Sequence, residues 1–385
     1  MADEPKLTPA TLAPQGFRIT EVDPKMRAPG PGRVPLLPPA PPILVPSLGP
    51  LAHFTGTWKG RGFNTIFRPN NGKTPTHLPS GIVLGDNVLE LNLTEETLSF
   101  SSALGSVPNR GSGDQGDAFL NGVPYLQAIN DITDPQRVTG IHLEPGIWAI
   151  VPTTTDPAER STVTRMASIP HGTTVNAQGN FFTVAGGPQI DKVDITPSSI
   201  ATGAKIAPPF PSQTAANTDT PRIPQDLTGT GITQAMLDDP NSVLRDAIAG
   251  QHITQTTVIS IATTPPPPLF DGGTTNIAFL RPNARTVQMS ATFWIETVAH
   301  TIRIPVHQPG LPLHVQPVVR PGQVAPTIEL HPPPGIPVGH LITVTTFQIQ
   351  YTQTVVLDFA GLHWPHVSVA TLVPSAPIPT PIAWP

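Results

Sequence analysis

Residues 341–374 read LITVTTFQIQYTQTVVLDFAGLHWPHVSVATLVP, and their pattern decides the fold. Apolar side chains recur at every second position over residues 347–359, with Gln353 as the exception. A period of two is typical of a β-strand with one buried face. Because residues 360–361 are Ala-Gly and a second alternating run follows over residues 366–372, the stretch predicts an antiparallel hairpin.

The second run of this hairpin begins with His366, which shares its face with Ser368 and Ala370. Both neighbours are small, so the sequence leaves room beside the imidazole. That arrangement suits a flat ligand that lies against the sheet and is coordinated through a ring nitrogen. The alternative is a hydrogen-bonded histidine in the core or at the rim of the sheet.

The composition favours a β protein with long extended connections. Charged residues make up 12% of the chain, and 52 of its 385 residues are proline. The fraction of charged residues is about half of its usual value, and the fraction of proline is more than twice its usual value, so little helix is expected. The net charge of −5, without a Lys/Arg cluster, argues against a nucleic-acid partner. Cysteine is absent, so any metal would need His, carboxylate or hydroxyl ligands.

Proline-dense segments divide the chain. Residues 1–50 predict an extended arm whose apolar side chains dock onto the same domain or a neighbouring subunit, which favours a homo-oligomer. Insertions are expected at about 181–250 and 305–337, and residues 374–385 form a proline-rich tail. The chain shows neither an apolar N-terminal segment nor a run of 18 apolar residues, which predicts a cytoplasmic protein without a membrane span.

Three local features complete this survey. A helix is predicted over residues 239–250, with Asp239 as its N-cap. Residues 88–102 predict two strands with a turn at about 94–97. The histidines of the second insertion are spaced too irregularly for a metal site and are expected at the surface or in packing contacts; they are His307, His314 and His331.

The first predicted strand contains GTWKGRG, residues 56–62, in which Trp58, Gly60 and Gly62 share one face. Glycine inside a strand usually marks the close approach of another backbone or of a ligand. This motif resembles the opening strand of the nitrobindin-like haem-binding barrels, which are related in shape to lipocalins and fatty-acid-binding proteins.

A second motif, HLEPGIW, occupies residues 142–148. His142 and Glu144 lie two positions apart on a strand, so their side chains point to the same side and can share a hydrogen bond or a metal. The run resembles the H-x-E-x-G signature of the same family. Two interpretations stay open: His142 and Glu144 act as an acid–base pair, or Glu144 has a structural role and accepts a hydrogen bond from the backbone or from an arginine.

The HVSVATL run at residues 366–372 resembles the closing strand of the family, where a histidine ligates haem iron. The resemblance therefore implies a single all-β, up-and-down antiparallel barrel of about ten strands over residues 51–373. It implies haem b bound by His366. That histidine lies one position out of register with the family unless a bulge at Pro365 absorbs the difference, and His363 is the second candidate ligand. The other residues expected to contact the cofactor are Ser368, Ala370, Trp58, Phe347 and Tyr351.

Three functions follow as expectations. The first is a haem protein that reacts with nitric oxide, peroxynitrite or peroxide, with isomerase or peroxidase-type chemistry on a small organic substrate as its enzymatic form. The second is a non-haem, lipocalin-like barrel that binds, isomerises or cyclises an apolar small molecule through His142 and Glu144. The third is a self-assembling structural subunit with interlocking arms. The sequence contains no nucleophile elbow and no phosphate-binding loop of the G-x-x-x-x-G-K-[ST] type.

Overall fold

The computed structural model of the protein describes residues 45–78, 81–83, 85–169, 171–264 and 272–380, together with 382 and 384. Most of the predicted N-terminal arm lies outside the described residues, and so does its predicted docking. In the described part of the chain, no helix is both long enough and apolar enough to cross a membrane.

Ten antiparallel strands form a closed barrel, in which each strand pairs with the next one in the chain and the last pairs with the first. This confirms the predicted all-β, up-and-down barrel. The strands are β1 Gly56–Pro69, β2 Asn87–Phe100, β3 Ala118–Asp131, β4 Thr139–Val151, β5 Thr162–Ile169, β6 Thr173–Ala185, β7 His252–Ala262, β8 Arg285–Arg303, β9 Leu341–Phe359 and β10 Leu362–Pro374.

Shorter elements lie between and outside these strands. The helices are α1 Gln234–Asp238 and α2 Ser242–Ile248, and the 3-10 turns are Gly49–His53, Pro211–Gln213 and Ala278–Leu280. The short strands are Thr76–Leu78, Gly81–Val83, Val107–Asn109, Thr154–Thr155, Ala158–Glu159, Ser198–Ser199, Arg222–Ile223, Gly273–Asn276, Leu313–Val315, Ile328–Leu330 and Ile378–Pro379.

The barrel closes where β1 meets β10, and two glycines make that contact possible. A Cβ atom on Gly60 would lie 1.9 Å from the carbonyl oxygen of Thr371, and one on Gly62 would lie 2.0 Å from that of Val369. The two glycines of the opening motif therefore permit the close approach of a neighbouring backbone, as their position in a strand suggested.

Two local predictions change in the structure. The turn predicted at residues 94–97 is wrong, because β2 continues through it. The polar residues there resemble a turn, but Thr94 and Glu96 are buried in the barrel and hydrogen-bonded to each other. The bulge at Pro365 that could have absorbed the register difference of His366 is also absent, since β9 and β10 pair without a register shift from Leu362 to Leu372.

One end of the barrel is filled by aromatic side chains beneath the Gly49–His53 turn. Phe54 stacks on Phe100 with ring centroids 4.6 Å apart and meets the edge of Trp148 at 5.6 Å. Trp148 in turn meets Phe293 at 5.0 Å. These buried rings fill this end of the barrel interior.

The first insertion, residues 186–251, packs against the outside of the barrel and contains α1 and α2. The amide of Gln350 on β9 donates to the carbonyl oxygen of Leu244 in α2 at 2.9 Å. Val367 and Val369 of β10 are completely buried although they face outward. This cover explains why the outward face of β10 is apolar. The predicted helix is confirmed, but it starts three residues after the predicted N-cap, at Ser242.

The second insertion and the tail form a small separate sheet. Leu313–Val315 pairs with Ile328–Leu330, which pairs in parallel with Ile378–Pro379. Ile328 and Leu330 are completely buried, in an apolar cluster with the ends of β8 and β9. His314 and His331 are exposed and both hydrogen-bond to Glu329, at 3.0 and 3.1 Å.

Candidate functional site

A cavity of about 380 Å³ occupies the barrel interior at the end away from the aromatic plug. Its size falls within the range of about 300–1,000 Å³ that is usual for small-molecule sites. Polar side chains form part of the wall: Asn64, Asn92, Gln127, His142, His171, Gln353, His366 and Ser368. Apolar side chains form much of the rest: Ile66, Ile129, Ile141, Ile169, Leu280, Ala284, Val355 and Leu357.

A buried polar layer separates this cavity from the aromatic plug, and Arg165 is at its centre. The Arg165 guanidinium donates to the Glu144 carboxylate, to the Tyr125 hydroxyl at 2.7 Å and to Oε1 of Gln353 at 2.6 Å. It also lies 5.4 Å from the ring centroid of Trp148, a cation–π contact. Each polar atom of the guanidinium is therefore oriented by a partner, as a buried cation requires.

The Glu144 carboxylate is completely enclosed by hydrogen-bond donors. One oxygen accepts from Tyr125 and Arg165, and the other contacts Nε2 of His142 at 3.3 Å. Burial alone would raise the pKa of Glu144, but the Arg165 charge and the hydrogen bonds from His142 and Tyr125 outweigh it and lower the pKa to about 2. Glu144 is therefore ionised, and it orients His142.

Gly146 is part of this arrangement, because it leaves room for the neighbouring tyrosine. A Cβ atom at Gly146 would lie 2.6 Å from atoms of the Tyr125 ring. Each fixed residue of the H-x-E-x-G run thus has a role in this site. His142 faces the cavity, Glu144 holds it, and Gly146 admits the ring that also donates to Glu144.

A second carboxyl group, Glu96, lies in the same layer. It accepts hydrogen bonds from the Tyr351 hydroxyl at 2.6 Å, from Gln127 at 3.2 Å and from Thr94 at 3.3 Å. Burial raises the pKa of Glu96 to about 7, and these hydrogen bonds only partly oppose that effect. Tyr351 and Gln127 also line the cavity, so Glu96 orients two groups of the cavity floor.

His366 lies in the cavity wall and begins a chain of side-chain hydrogen bonds. Its Nε2 is 2.8 Å from Oδ1 of Asn64, which also accepts from Ser368 at 2.8 Å. Asn64 donates to Oδ1 of Asn92 at 2.9 Å, and Asn92 donates to Asp131 at 3.0 Å. Burial, together with the charges of His142 and His171, lowers the pKa of His366 to about 3, so its imidazole is uncharged.

His171 is the third imidazole of the cavity. Its ring centroid lies 5.6 Å from that of His142. Burial, followed by the charge of His142, lowers the pKa of His171. His142 thus faces the cavity while the Glu144 carboxylate holds its Nε2, which is the arrangement of an oriented general base.

The structure brings some of the predicted site residues together and separates others. His142, His366, Ser368 and Tyr351 line the cavity. Glu144 lies behind His142 and does not line it, which corresponds to the structural alternative with an arginine partner. The remaining predicted residues lie elsewhere. Trp58 donates a hydrogen bond to the backbone of Thr55, and Phe347 packs at a tilt against His53 with ring centroids 4.0 Å apart. Ala370 is completely buried opposite Gly62, and Nδ1 of His363 lies 2.5 Å from the Asp358 carboxylate.

Sequence reasoning missed the polar partners that hold this site. Arg165 lies on the inward parity of β5 between Val163 and Ala167, both of which are buried. A single charged residue in such a position signals a buried ion pair, and that signal was available in the sequence. Asn64 gave no comparable signal, because its role depends on the distant Asn92 and His366. Across the described ranges, no group of three or more His, Asp or Glu side chains is arranged to hold a metal ion.

No family model and no curated protein matches the sequence. Among solved structures, the chain is similar to one described as the crystal structure of Rv2717c from M. tuberculosis, with a TM-score of 0.33 and 10% sequence identity. The match covers 86% of this chain and 99% of that chain.

Proposed function

We propose that the barrel binds one small organic molecule in the cavity lined by His142, His171 and His366. The observation that carries this proposal is the pairing of an apolar cavity wall with a few polar groups, each held by its own hydrogen-bond partner. Such preorganised polar groups in an apolar pocket are the usual composition of a small-molecule site.

The charges around the cavity favour an uncharged ligand. The pKa values of His171 and His366 are lowered, so these rings are neutral near pH 7. Arg68 and Glu90, which also contribute to the lining, form an ion pair at 3.2 Å. A charged ligand would therefore lose its hydration without meeting an unpaired opposite charge. Acid–base chemistry at His142, oriented by Glu144, is the reaction type that this site could add to binding.

Binding can be tested with N-phenyl-1-naphthylamine, a neutral apolar probe whose fluorescence rises in apolar surroundings. We expect a saturable increase with one probe per chain. Ala284→Trp places a bulky ring in the cavity wall and should weaken binding at least about tenfold, since the lost contacts exceed about 1.4 kcal/mol. The control is Ala158→Trp, at an exposed position in the turn between β4 and β5. Equal binding by both variants, or no saturable binding by the unaltered protein, would refute the proposal.

Haem is a second candidate, favoured by one observation: the uncharged imidazole of His366 faces the cavity. The present arrangement does not fit iron coordination through Nε2, because that nitrogen is hydrogen-bonded to Asn64. Trp58 and Phe347, expected to pack on the ring, lie away from the cavity. After incubation with haem b and removal of unbound haem by gel filtration, a Soret band that elutes with the protein and is lost in His366→Phe would decide for haem. A protein fraction without a Soret band would exclude it.

A further inference from the structure

The hydrogen-bond chain behind His366 has a fixed direction. Asp131 carries carboxylate oxygens, which accept hydrogen bonds, so Asn92 must turn its amide nitrogen toward them. The carbonyl oxygen of Asn92 then faces Asn64 and accepts from its amide nitrogen. The carbonyl oxygen of Asn64 is left to face His366, and Nε2 of His366 must be the donor. The proton of the neutral ring is therefore on Nε2, and Nδ1 carries a lone pair.

The same reasoning fixes the proton on His142. Its Nε2 contacts the carboxylate of Glu144, which is ionised because Arg165 stabilises it, so Nε2 donates. No hydrogen bond within the described residues engages Nδ1 of His142 or Nδ1 of His366. In its neutral form His142 therefore carries its lone pair on Nδ1, as His366 does, and neither Nδ1 atom has a partner among the described residues.

The other polar groups of the cavity floor add to this excess of acceptors. Gln127 uses its amide nitrogen for Glu96 and Tyr351, which leaves its carbonyl oxygen without a partner among the described residues. The Tyr351 hydroxyl donates to Glu96. Ser368 donates to Asn64. Two donors also face this layer: the amide nitrogen of Gln353, whose carbonyl oxygen accepts from Arg165, and the ring N–H of neutral His171, which has no hydrogen-bond partner among the described residues.

We propose that the ligand is an uncharged molecule with two hydrogen-bond donors, such as an aromatic diol, received by Nδ1 of His366 and Nδ1 of His142. This inference rests on the proposed function, and it specifies the ligand's chemistry. An acceptor that is buried without a donor destabilises a complex. A ligand that lacks donors would bury both Nδ1 atoms in this way and should therefore bind more weakly.

The test compares three probes by displacement of N-phenyl-1-naphthylamine. Naphthalene-2,7-diol carries two donors, 2,7-dimethoxynaphthalene carries acceptors only, and naphthalene carries neither and is the smallest. We expect the diol to bind at least about tenfold more tightly than either of the others, since it alone offers a donor to each of the two acceptor nitrogens. Naphthalene is the control for size: if 2,7-dimethoxynaphthalene bound weakly only because it is larger, naphthalene would still bind as tightly as the diol.

Two variants test the assignment of the donors and acceptors. His366→Phe removes one acceptor and should reduce the preference for the diol over naphthalene several-fold. Asn64→Leu removes the group that fixes the His366 proton, so the ring can turn a donor toward the ligand and binding of 2,7-dimethoxynaphthalene should improve relative to the diol. The fold of each variant is checked by circular dichroism.

The outcomes separate the two proposals. If N-phenyl-1-naphthylamine binds but the three probes displace it equally, the donor inference fails and the small-molecule site stands. If it does not bind at all, the proposed function fails. If the unaltered protein prefers the diol and both variants keep that preference unchanged, His366 is not the acceptor and the inference is overturned.

Discussion

Replacing Arg165 with methionine is expected to lower the free energy of unfolding by about 3–5 kcal/mol at neutral pH. The reason is that Glu144 stays completely buried but loses the cation that compensates its charge. Methionine keeps an unbranched apolar side chain in the layer, so the loss reflects the missing charge more than a missing volume. Urea denaturation monitored by tryptophan fluorescence measures the change.

The pH dependence and a double variant test the cause. In the unaltered protein the pKa of Glu144 is lowered, so the ion pair stabilises the fold above the unfolded value of 4.5 and is lost as the pH falls toward 2. Without Arg165, burial raises the pKa of Glu144, and protonation of this carboxylate removes the cost of burying an unpaired charge. The difference in the free energy of unfolding between Arg165→Met and the parent should therefore become smaller from pH 7 to pH 3. The double variant with Glu144→Gln should regain much of the free energy of unfolding that Arg165→Met loses. A decrease of less than about 1 kcal/mol in Arg165→Met would contradict the stabilising role of the ion pair.

Replacing Glu96 with glutamine is expected to have an effect that grows with pH. Because the folded-state pKa of Glu96 is raised to about 7, the carboxyl group keeps its proton in the folded state after the unfolded chain has lost it. The unaltered protein therefore loses stability from this group as the pH rises from 4.5 to above 7, by on the order of 3 kcal/mol. Glutamine does not titrate. The difference in the free energy of unfolding between Glu96→Gln and the parent should therefore shift in favour of the variant by on the order of 3 kcal/mol from pH 4 to pH 8.

The matched control is Glu95→Gln, which removes the exposed carboxyl group of the preceding residue. Both proteins are compared with the parent by urea denaturation at pH 4, 6 and 8. If the two variants show the same change with pH, Glu96 is not the buried group that titrates.

The barrel could be predicted because its strands alternate clearly and because the pairing of consecutive strands is local. The motif at residues 56–62 and the hairpin over residues 341–374 together indicated that the chain begins and ends in the same sheet. The continuity of β2 could not be predicted, since polar Thr94 and Glu96 satisfy each other only inside a barrel that other strands complete. The small sheet of the second insertion was missed because proline-dense sequence hides strands of three residues.

The site was predicted in part. Parity placed His142 and His366 on inward faces, and both line the cavity. The partners that fix their protons come from strands far away in the chain: Arg165 for Glu144, and Asn92 for Asn64. Contacts of this kind depend on the register of the closed barrel, which sequence periodicity does not determine.

The most direct test of the central claim is a crystal structure of the protein soaked with naphthalene-2,7-diol. The account predicts one diol in the cavity, with its hydroxyl groups within about 3 Å of Nδ1 of His366 and Nδ1 of His142. A diol bound only outside the barrel, or an interior without diol at a saturating concentration, would contradict the claim that this cavity is the ligand site.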